Sequence, residues 1–290
     1  MPEVVHLNGQ RVPREQACVS IDDRGFLFGD AVYEVLRAYG GRLWAADRHF
    51  RRLRRSLQEV LIEGVAVAEV QALTTRAVEE SGYLEAHIYV HIIRGLEPRA
   101  LAYRDGLVPT VLIHVRDASG MVSADVCEGV SAITIPDLRW KRCDVKSTNL
   151  LANALARKEA KRAGAYEAIL YDEEGFITEA AAMSVFATSG GEVFTTPLGP
   201  EILPSISREL LLEMARDLGI AVREERIARR RLGAMEEVFL TSTMHEVCPV
   251  VRLDGVPVGE GRPGPIATRL LAEFRARLAA GDDAPRGAAT

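Results

Sequence analysis

The chain has 290 residues, 48% of them hydrophobic and 27% charged, with a formal net charge of -5. Such a composition belongs to a globular protein of one or two domains, and its acidic balance argues against a role on nucleic acid or an anionic membrane surface. No stretch approaches the roughly 18 apolar residues of a membrane span, and MPEVVHLNGQRV lacks the basic-then-apolar pattern of a secretory signal.

Cys18, Cys127, Cys143 and Cys248 form no CxxC pair and keep no His at metal-ligand spacing. Neither a metal site nor a disulfide framework is expected, and the compartment reads as reducing and cytoplasmic. The first forty residues read as strands joined by tight turns at Asn8-Gly9 and Gly40-Gly41. Phe50, Leu53, Leu57 and Leu61 recur at helical spacing from Asp47 to about Val60, and a second helix is expected from about Ala66 to Glu80. Strands follow at AHIYVHIIRG and PTVLIHV. The polar break at Asp117-Ala118-Ser119-Gly120 suits a linker. We therefore expect an N-terminal lobe over residues 1–118, a linker over 119–128, a C-terminal lobe over 129–280, and a tail over 281–290 whose composition is that of a disordered segment.

The second half brings a strand at GVSAITIP, a helix at LANALARKEAKRAGA, and hairpins around Glu174-Gly175 and Gly190-Gly191. A helix from about Ser207 to Leu218, strands at EEVFLTST and EVCPVVRLDGVPV, and a helix from about Ile266 to Leu278 complete the pattern. Hairpins mixed with helices indicate α+β architecture rather than a doubly wound sheet.

The most informative stretch is RWKRCDVKSTNLL, where Lys146 is expected at the end of a buried alternating strand just before a helix. Lysines are mostly solvent-exposed, so such a position calls for a reason. Six blocks in order supply one: DRGFLFGDAVYEV (23–35), RGLEPRA (94–100), RWKRCDVKSTNLL (139–151), YEAILYDEEGFITE (166–179), ILPSISREL (202–210) and TSTMHEVCPV (241–250). Together they resemble the class IV aminotransferases, and the blocks RW-x-RCD-x-KS-x-NLL and TST-x-x-E-x-x-PV are similar to those of bacterial D-amino-acid aminotransferases.

The resemblance implies a two-lobed fold-type IV enzyme, with a smaller N-terminal lobe and a larger C-terminal pseudo-barrel lobe, that uses pyridoxal 5'-phosphate. Lys146 would carry the cofactor as a Schiff base and shuttle the α-proton; an amine both forms that linkage and moves a proton. Glu179 would face the pyridine nitrogen and keep it protonated. Arg52, Ile206, Ser207 and Thr243 match the family's phosphate contacts, the phosphate needing cations and helix N-terminal donors. Arg51, Arg54, Arg55 and Arg229 to Arg231 read as solvated faces.

Tyr33 and Arg99 match residues that bind the α-carboxylate, with Arg99 reaching in from the neighbouring subunit of a homodimer with shared active sites. Leu101 stands where the family has a histidine. Two further departures follow: Ala180, Ala181, Ala182, Met183 and Ser184 after Glu179 offer fewer polar groups, and Ser205 replaces a glycine before the phosphate helix. Among the histidines, only His245 is expected near the cofactor. The implied reaction moves an amino group from a D-amino acid to a 2-oxo acid such as 2-oxoglutarate. A branched-chain L-amino-acid transaminase, an (R)-amine transaminase and an aminodeoxychorismate lyase share the scaffold and stand as alternatives. So does a non-catalytic protein of this fold, against which Lys146 and Glu179 together speak.

Overall fold

A computed structural model describes residues 3–121, 126 and 128–281. Residues 122–125 and 127 of the expected linker, Cys127 included, and 282–290 of the expected tail lie outside the described residues. The chain divides into two units: Met1–Ser119 with Val145–Asn149, and Gly120–Asp144 with Leu150–Thr290.

The first unit is built on a six-stranded antiparallel sheet in the order β2-β1-β6-β5-β3-β4. Its strands are β1 (Val4–Leu7), β2 (Gln10–Val12), β3 (Ala31–Tyr39), β4 (Arg42–Leu43), β5 (Ala86–Ile93) and β6 (Thr110–Asp117). Alternation sends Val32, Leu36, Ile88, Val90, Ile92, Ile113 and Val115 to one face. There they pack with Phe50, Leu53 and Leu57 of α2 (Ala46–Glu59) and with Val70, Ala77 and Val78 of α3 (Val67–Ser81). The opposite face carries Tyr33 with His91 and Val35 with Tyr89 as cross-strand pairs, and His87 four residues from His91 lies on the same side. Leu61 departs from the expected helical stripe. The helix ends at Glu59, and Leu61 sits at φ 56°, 65% exposed.

A short helix, α1 (Arg24–Phe28), precedes β3. Asp23 caps it by accepting from Phe26 N, and Gly29 closes it at φ 66°. A side chain could not replace this glycine cheaply, because a Cβ would come within 2.6 Å of Asn149 Oδ1.

The second unit holds a mixed sheet in the order β12-β11-β10-β13-β14-β7-β8-β9, with β15 (Val256–Pro257) on β14. β7 (Val130–Pro136) and β8 (Glu167–Tyr171) run parallel, so the chain must cross over between them, and α4 (Leu151–Arg162) does so. Ala156 and Ala160 let this helix lie close on Ala168 and Leu170. The hairpin of β8 with β9 (Ile177–Ala180) and that of β10 (Ser184–Ser189) with β11 (Glu192–Thr195) turn at the expected glycines. The rest comprises β12 (Val222–Glu224), β13 (Glu237–Ser242), β14 (Glu246–Leu253), α5 (Ile206–Asp217), α6 (Arg229–Leu232) and α7 (Pro265–Ala280).

Lys146 is not on a strand. The segment before it is irregular, and only Ser147 makes an isolated bridge, to Val32 of β3. Its main-chain groups bond one at a time to different partners, which prevents a ladder from forming.

Candidate active site

In the first unit the site begins with β3. Its residue 33 faces away from the helices and residue 34 faces into them, so Glu34 is a carboxylate with no exposure inside an apolar layer. Such a charge persists only if paired. Arg52 Nε and Nη2 donate to its two oxygens at 2.8 and 2.7 Å, and His49 Nδ1 lies 2.8 Å from Oε2. Burial alone would push Glu34 up; Arg52 and His49 outweigh it and hold the carboxyl at about 2. Burial favours the neutral form of His49, whose Nδ1–H still donates, so Arg52 is the cation of the group.

Lys146 is locked to this strand. Tyr33 N–H donates to Lys146 O at 3.0 Å, Thr148 N–H to Ala31 O at 3.1 Å, and Lys146 N–H to Ser56 Oγ at 3.3 Å. Lys146 Nζ lies 4.2 Å from the centre of the Tyr33 ring. Tyr33 in turn contacts Tyr89 at 5.4 Å between ring centroids, and Tyr89 meets His91 edge-on at 5.6 Å. Burial pushes the Tyr89 hydroxyl to about 12, with help from Tyr33, and drops His91 to about 4. Tyr89 and His91 are therefore uncharged near neutral pH. Arg99 is exposed, its guanidinium 5.5 Å from the Phe28 ring centre, and no acidic side chain of the described residues pairs with it. Leu101 is 81% exposed.

In the second unit Glu179 lies on β9, 7% exposed. Arg139 Nη1 donates to its Oε1, and Leu203 N–H reaches both oxygens at 3.3 Å. Arg139 is itself held by Asp137, through Nε to Oδ1 at 2.9 Å and Nη2 to Oδ2 at 2.6 Å, and by Glu201 O at 3.0 Å. Thr178 Oγ1 donates to Asp137 Oδ2 at 2.7 Å. Burial pushes the Glu179 carboxyl up against the pull of Arg139 and Leu203, while the two carboxylates hold the Arg139 proton above its ordinary range despite burial. Oε2 of Glu179 accepts only the long contact from Leu203, so it keeps capacity for a further donor.

Ile206 and Ser207 are the first two residues of α5, both buried, and their N–H groups precede the helix's internal bonds. Ser205 caps this helix at φ -70°, accepting from Arg208 N at 3.3 Å. That backbone needs no glycine, and the serine adds a cap that glycine lacks. Thr243 sits half-buried in the turn between β13 and β14. Beside it Ser242 Oγ lies 3.0 Å from His245 Nδ1, and the His245 ring meets Tyr166 edge-on at 5.9 Å. After Glu179, Ala181 and Met183 are buried apolar side chains; Asn153 Nδ2 donates to Ala181 O at 2.7 Å and Ala181 N–H to Ala168 O at 2.9 Å.

Of the expected set, Tyr33, Arg52, Lys146, Arg99 and Leu101 lie in the first unit, where Lys146 meets Tyr33, and Glu179, Ile206, Ser207 and Thr243 lie in the second. Sequence reasoning did not single out Glu34, His49, Asp137 or Arg139. Glu34 was signalled by a lone acid at an inward position of an alternating strand, and Arg139 by its place inside the RWKRCD block. In the first unit Lys146 is an amine on a held backbone; in the second Glu179 is a buried carboxylate with acceptor capacity and α5 opens with leading N–H groups, and each is a kind of group that a phosphorylated pyridine aldehyde needs.

The class IV amino-transferase family model matches residues 31–253. The chain is 36% identical over 263 residues to the D-alanine aminotransferase of Bacillus licheniformis, covering 90% of this chain and 92% of that protein. Among solved structures, the branched-chain amino acid aminotransferase of Escherichia coli superposes with a TM-score of 0.91 at 26% identity, covering 99% of this chain and 97% of the other. A branched-chain amino acid aminotransferase from T.th., solved in complex with N-(5'-phosphopyridoxyl)-L-glutamate, gives 0.86 at 28% identity over 96% and 94%. The chain belongs to the class IV aminotransferases, with the fold-type IV architecture and the pyridoxal 5'-phosphate dependence of that family.

Proposed function

We propose that the enzyme transfers an amino group from a D-amino acid to a 2-oxo acid such as 2-oxoglutarate. The observation that carries this reading is the 36% identity to a D-alanine aminotransferase across 90% of the chain, joined to a Tyr33 side chain 4.2 Å from the Lys146 amine. The branched-chain enzymes among the structural neighbours are less similar in sequence, at 26–28% identity.

The bound pyridoxal phosphate supplies an aldehyde to hold the amine and a cationic ring to accept electrons when the α-proton leaves. Lys146 would hold the cofactor, and its Nζ, once displaced by the incoming amine, would take up the proton that the substrate α-carbon releases. Glu179 would face the pyridine nitrogen and keep it protonated, and Arg139 holds that carboxylate in place. The Ile206 and Ser207 N–H groups, Thr243 and Arg52 would hold the phosphate. Arg52 arrives already oriented by Glu34. Tyr33 and Arg99 would bind the α-carboxylate, for which a planar guanidinium is suited. Leu101 presents apolar surface where a third polar contact would otherwise stand.

The two lobes, 1–118 and 129–280, and a homodimer in which Arg99 serves the partner's site belong to this proposal. Exposed apolar side chains support a second copy: Leu151 and Leu155, one turn apart on α4, are 75% and 61% exposed, and Phe26 is 69% exposed. A cytoplasmic location is supported by the free thiols of Cys18, Cys143 and Cys248. No helix among the described residues is long and apolar enough to cross a membrane.

A half-reaction screen tests the substrate reading. Purified holoenzyme is mixed with D- and L-alanine, D- and L-glutamate, L-leucine and (R)-1-phenylethylamine, and loss of the cofactor's aldehyde absorbance is followed. The D-amino acids should react fastest; faster reaction with L-leucine would overturn the assignment. Light scattering beside the activity assay tests the dimer, and a fully active monomer would refute it.

A further inference from the structure

Arg24, on α1, is among the most heavily used side chains of the first unit, yet it plays no part in the chemistry proposed above. Only 4% of the side chain is exposed. Nε donates to Asp30 Oδ2 at 2.8 Å, Nη1 to Glu97 Oε1 at 2.7 Å and to Ala100 O at 2.7 Å, and Nη2 to Leu101 O at 3.2 Å. Three of these four bonds end on the segment that carries Arg99 and Leu101. The guanidinium also lies 4.8 Å from the Phe28 ring centre and 5.3 Å from that of Tyr103.

A second arginine completes the frame. Arg94 shares Asp30 Oδ2 at 2.8 Å, donates to Val60 O and Leu61 O at 2.5 and 2.6 Å, and lies 3.8 Å from the Tyr103 ring centre. Tyr103 is therefore in contact with both guanidiniums, and Glu97 ties back through Oε2 to Arg104 N at 3.4 Å. The segment from Gly95 to Arg104 contributes no strand or helix; an isolated bridge of Leu96 to Asp23, with Arg24 N–H to Gly95 O at 3.1 Å and Glu97 N–H to Asp22 O at 3.3 Å, pins its start, and beyond Glu97 the side-chain bonds of Arg24 hold it.

The geometry points to Arg24 as a positioning residue that fixes the 97–101 segment, and through it the Arg99 guanidinium, for carboxylate recognition; this rests on the reading of Arg99 as the carboxylate anchor. A planar fork is required for the task. One Nη nitrogen serves a carboxylate and a carbonyl together while the other serves the next carbonyl, and a lysine has a single point to offer. The Ala100 and Leu101 carbonyls belong to the two peptides just beyond the one that joins Arg99 to Ala100, so losing both donors loosens the chain beside the anchor. Arg99 itself is exposed, with no acidic partner among the described residues, and lies 5.5 Å from the same Phe28 ring that Arg24 covers. Its donors stay available because the restraint is applied to the backbone beside it.

The test compares holoenzymes of wild type, Arg24→Lys, Glu97→Gln and Arg99→Ala. Glu97→Gln keeps the size of the side chain and all of Arg24 while removing the charge that Arg24 meets, so it reports even if Arg24→Lys folds poorly. KM and kcat are measured with D-alanine, and backbone hydrogen exchange is followed for peptides covering 95–104. In Arg24→Lys, KM should rise about 10- to 100-fold with kcat within about twofold, and exchange in 95–104 should quicken. Glu97→Gln should move both readouts the same way by less. Quickened exchange with unchanged KM, in an enzyme where Arg99→Ala raises KM, refutes the positioning role and leaves the anchor standing. So does an equal fall in kcat with no change in KM. Unchanged KM in Arg99→Ala instead sinks the anchor reading itself.

Discussion

Glu179→Gln separates what Glu179 does for the fold from what it does for the reaction. The substitution keeps the volume and one acceptor oxygen but removes the charge that faces Arg139. Arg139 does not become an orphan, because Asp137 holds it through two bonds at 2.9 and 2.6 Å and Glu201 O accepts a third at 3.0 Å. The loss is then one charge-assisted hydrogen bond, about 1.5–3 kcal/mol, and not the roughly 3–5 kcal/mol of an uncompensated buried charge. The protein should fold and bind its cofactor. The reaction should suffer more, because a neutral amide does not hold a proton on the pyridine nitrogen and the ring then accepts electrons poorly. A slowing of about 100-fold, or ~2.7 kcal/mol in the barrier, is expected for α-proton removal. Urea unfolding of the two holoenzymes and single-turnover absorbance with D-alanine read the two quantities independently. A single-turnover rate within about twofold of wild type would remove Glu179 from the mechanism. A stability loss above about 4 kcal/mol would show that Arg139 depends on Glu179 and not on Asp137.

Lys146→Ala should lose the covalent cofactor linkage, seen as loss of its absorbance band after gel filtration, together with all but a trace of turnover; near wild-type transamination would rule out Lys146. Leu101→His should lower KM for D-alanine by restoring a polar contact worth roughly 1–3 kcal/mol, and an unchanged KM would show that residue 101 does not face the carboxylate. Glu34 is held at about 2 against an unperturbed 4.5, so its contribution is fully present above pH 4.5 and is lost as pH falls toward 2. That linkage is worth about 3 kcal/mol, and urea midpoints of Glu34→Gln should show a flatter acid limb than wild type. His91, lowered to about 4 from 6.5, stabilises fully above pH 6.5 and loses that contribution as pH drops to 4; an identical slope in His91→Gln would contradict its burial as a neutral ring.

The hairpins were legible because their turns are written in residues that accept positive φ. Asn8 and Gly9 stand at 51° and 79°, Gly40 and Gly41 at 56° and 74°, and Gly190 and Gly191 at 60° and 77°. The long helices were legible from their periodic apolar stripes. By contrast, α1 has five residues and no stripe; it exists because Asp23 caps one end and Gly29 closes the other. Lys146 was expected on a strand from the alternation before it, yet its own main-chain bonds go to Tyr33 and Ser56 and that of Thr148 goes to Ala31. The carboxylate partners were least legible. Arg52 finds Glu34 across 18 residues and Arg139 finds Glu179 across 40, pairings that only the packed fold decides.

Those pairings share a logic that bears on function. A buried ion pair contributes little more to stability than apolar side chains of similar size would, so its use has to be sought elsewhere. Glu34 follows Tyr33 directly and clamps Arg52 by two bonds; Asp137 clamps Arg139 in the same manner. In each unit one carboxylate fixes a guanidinium in a single orientation, and in the second that guanidinium then turns Glu179. An unclamped arginine beside Glu179 would be free to swing away and leave the carboxylate to burial, which favours its protonated form. With Asp137 in place, Arg139 holds Glu179 Oε1 while Oε2 keeps acceptor capacity for a further donor, the ring N–H in the function proposed above.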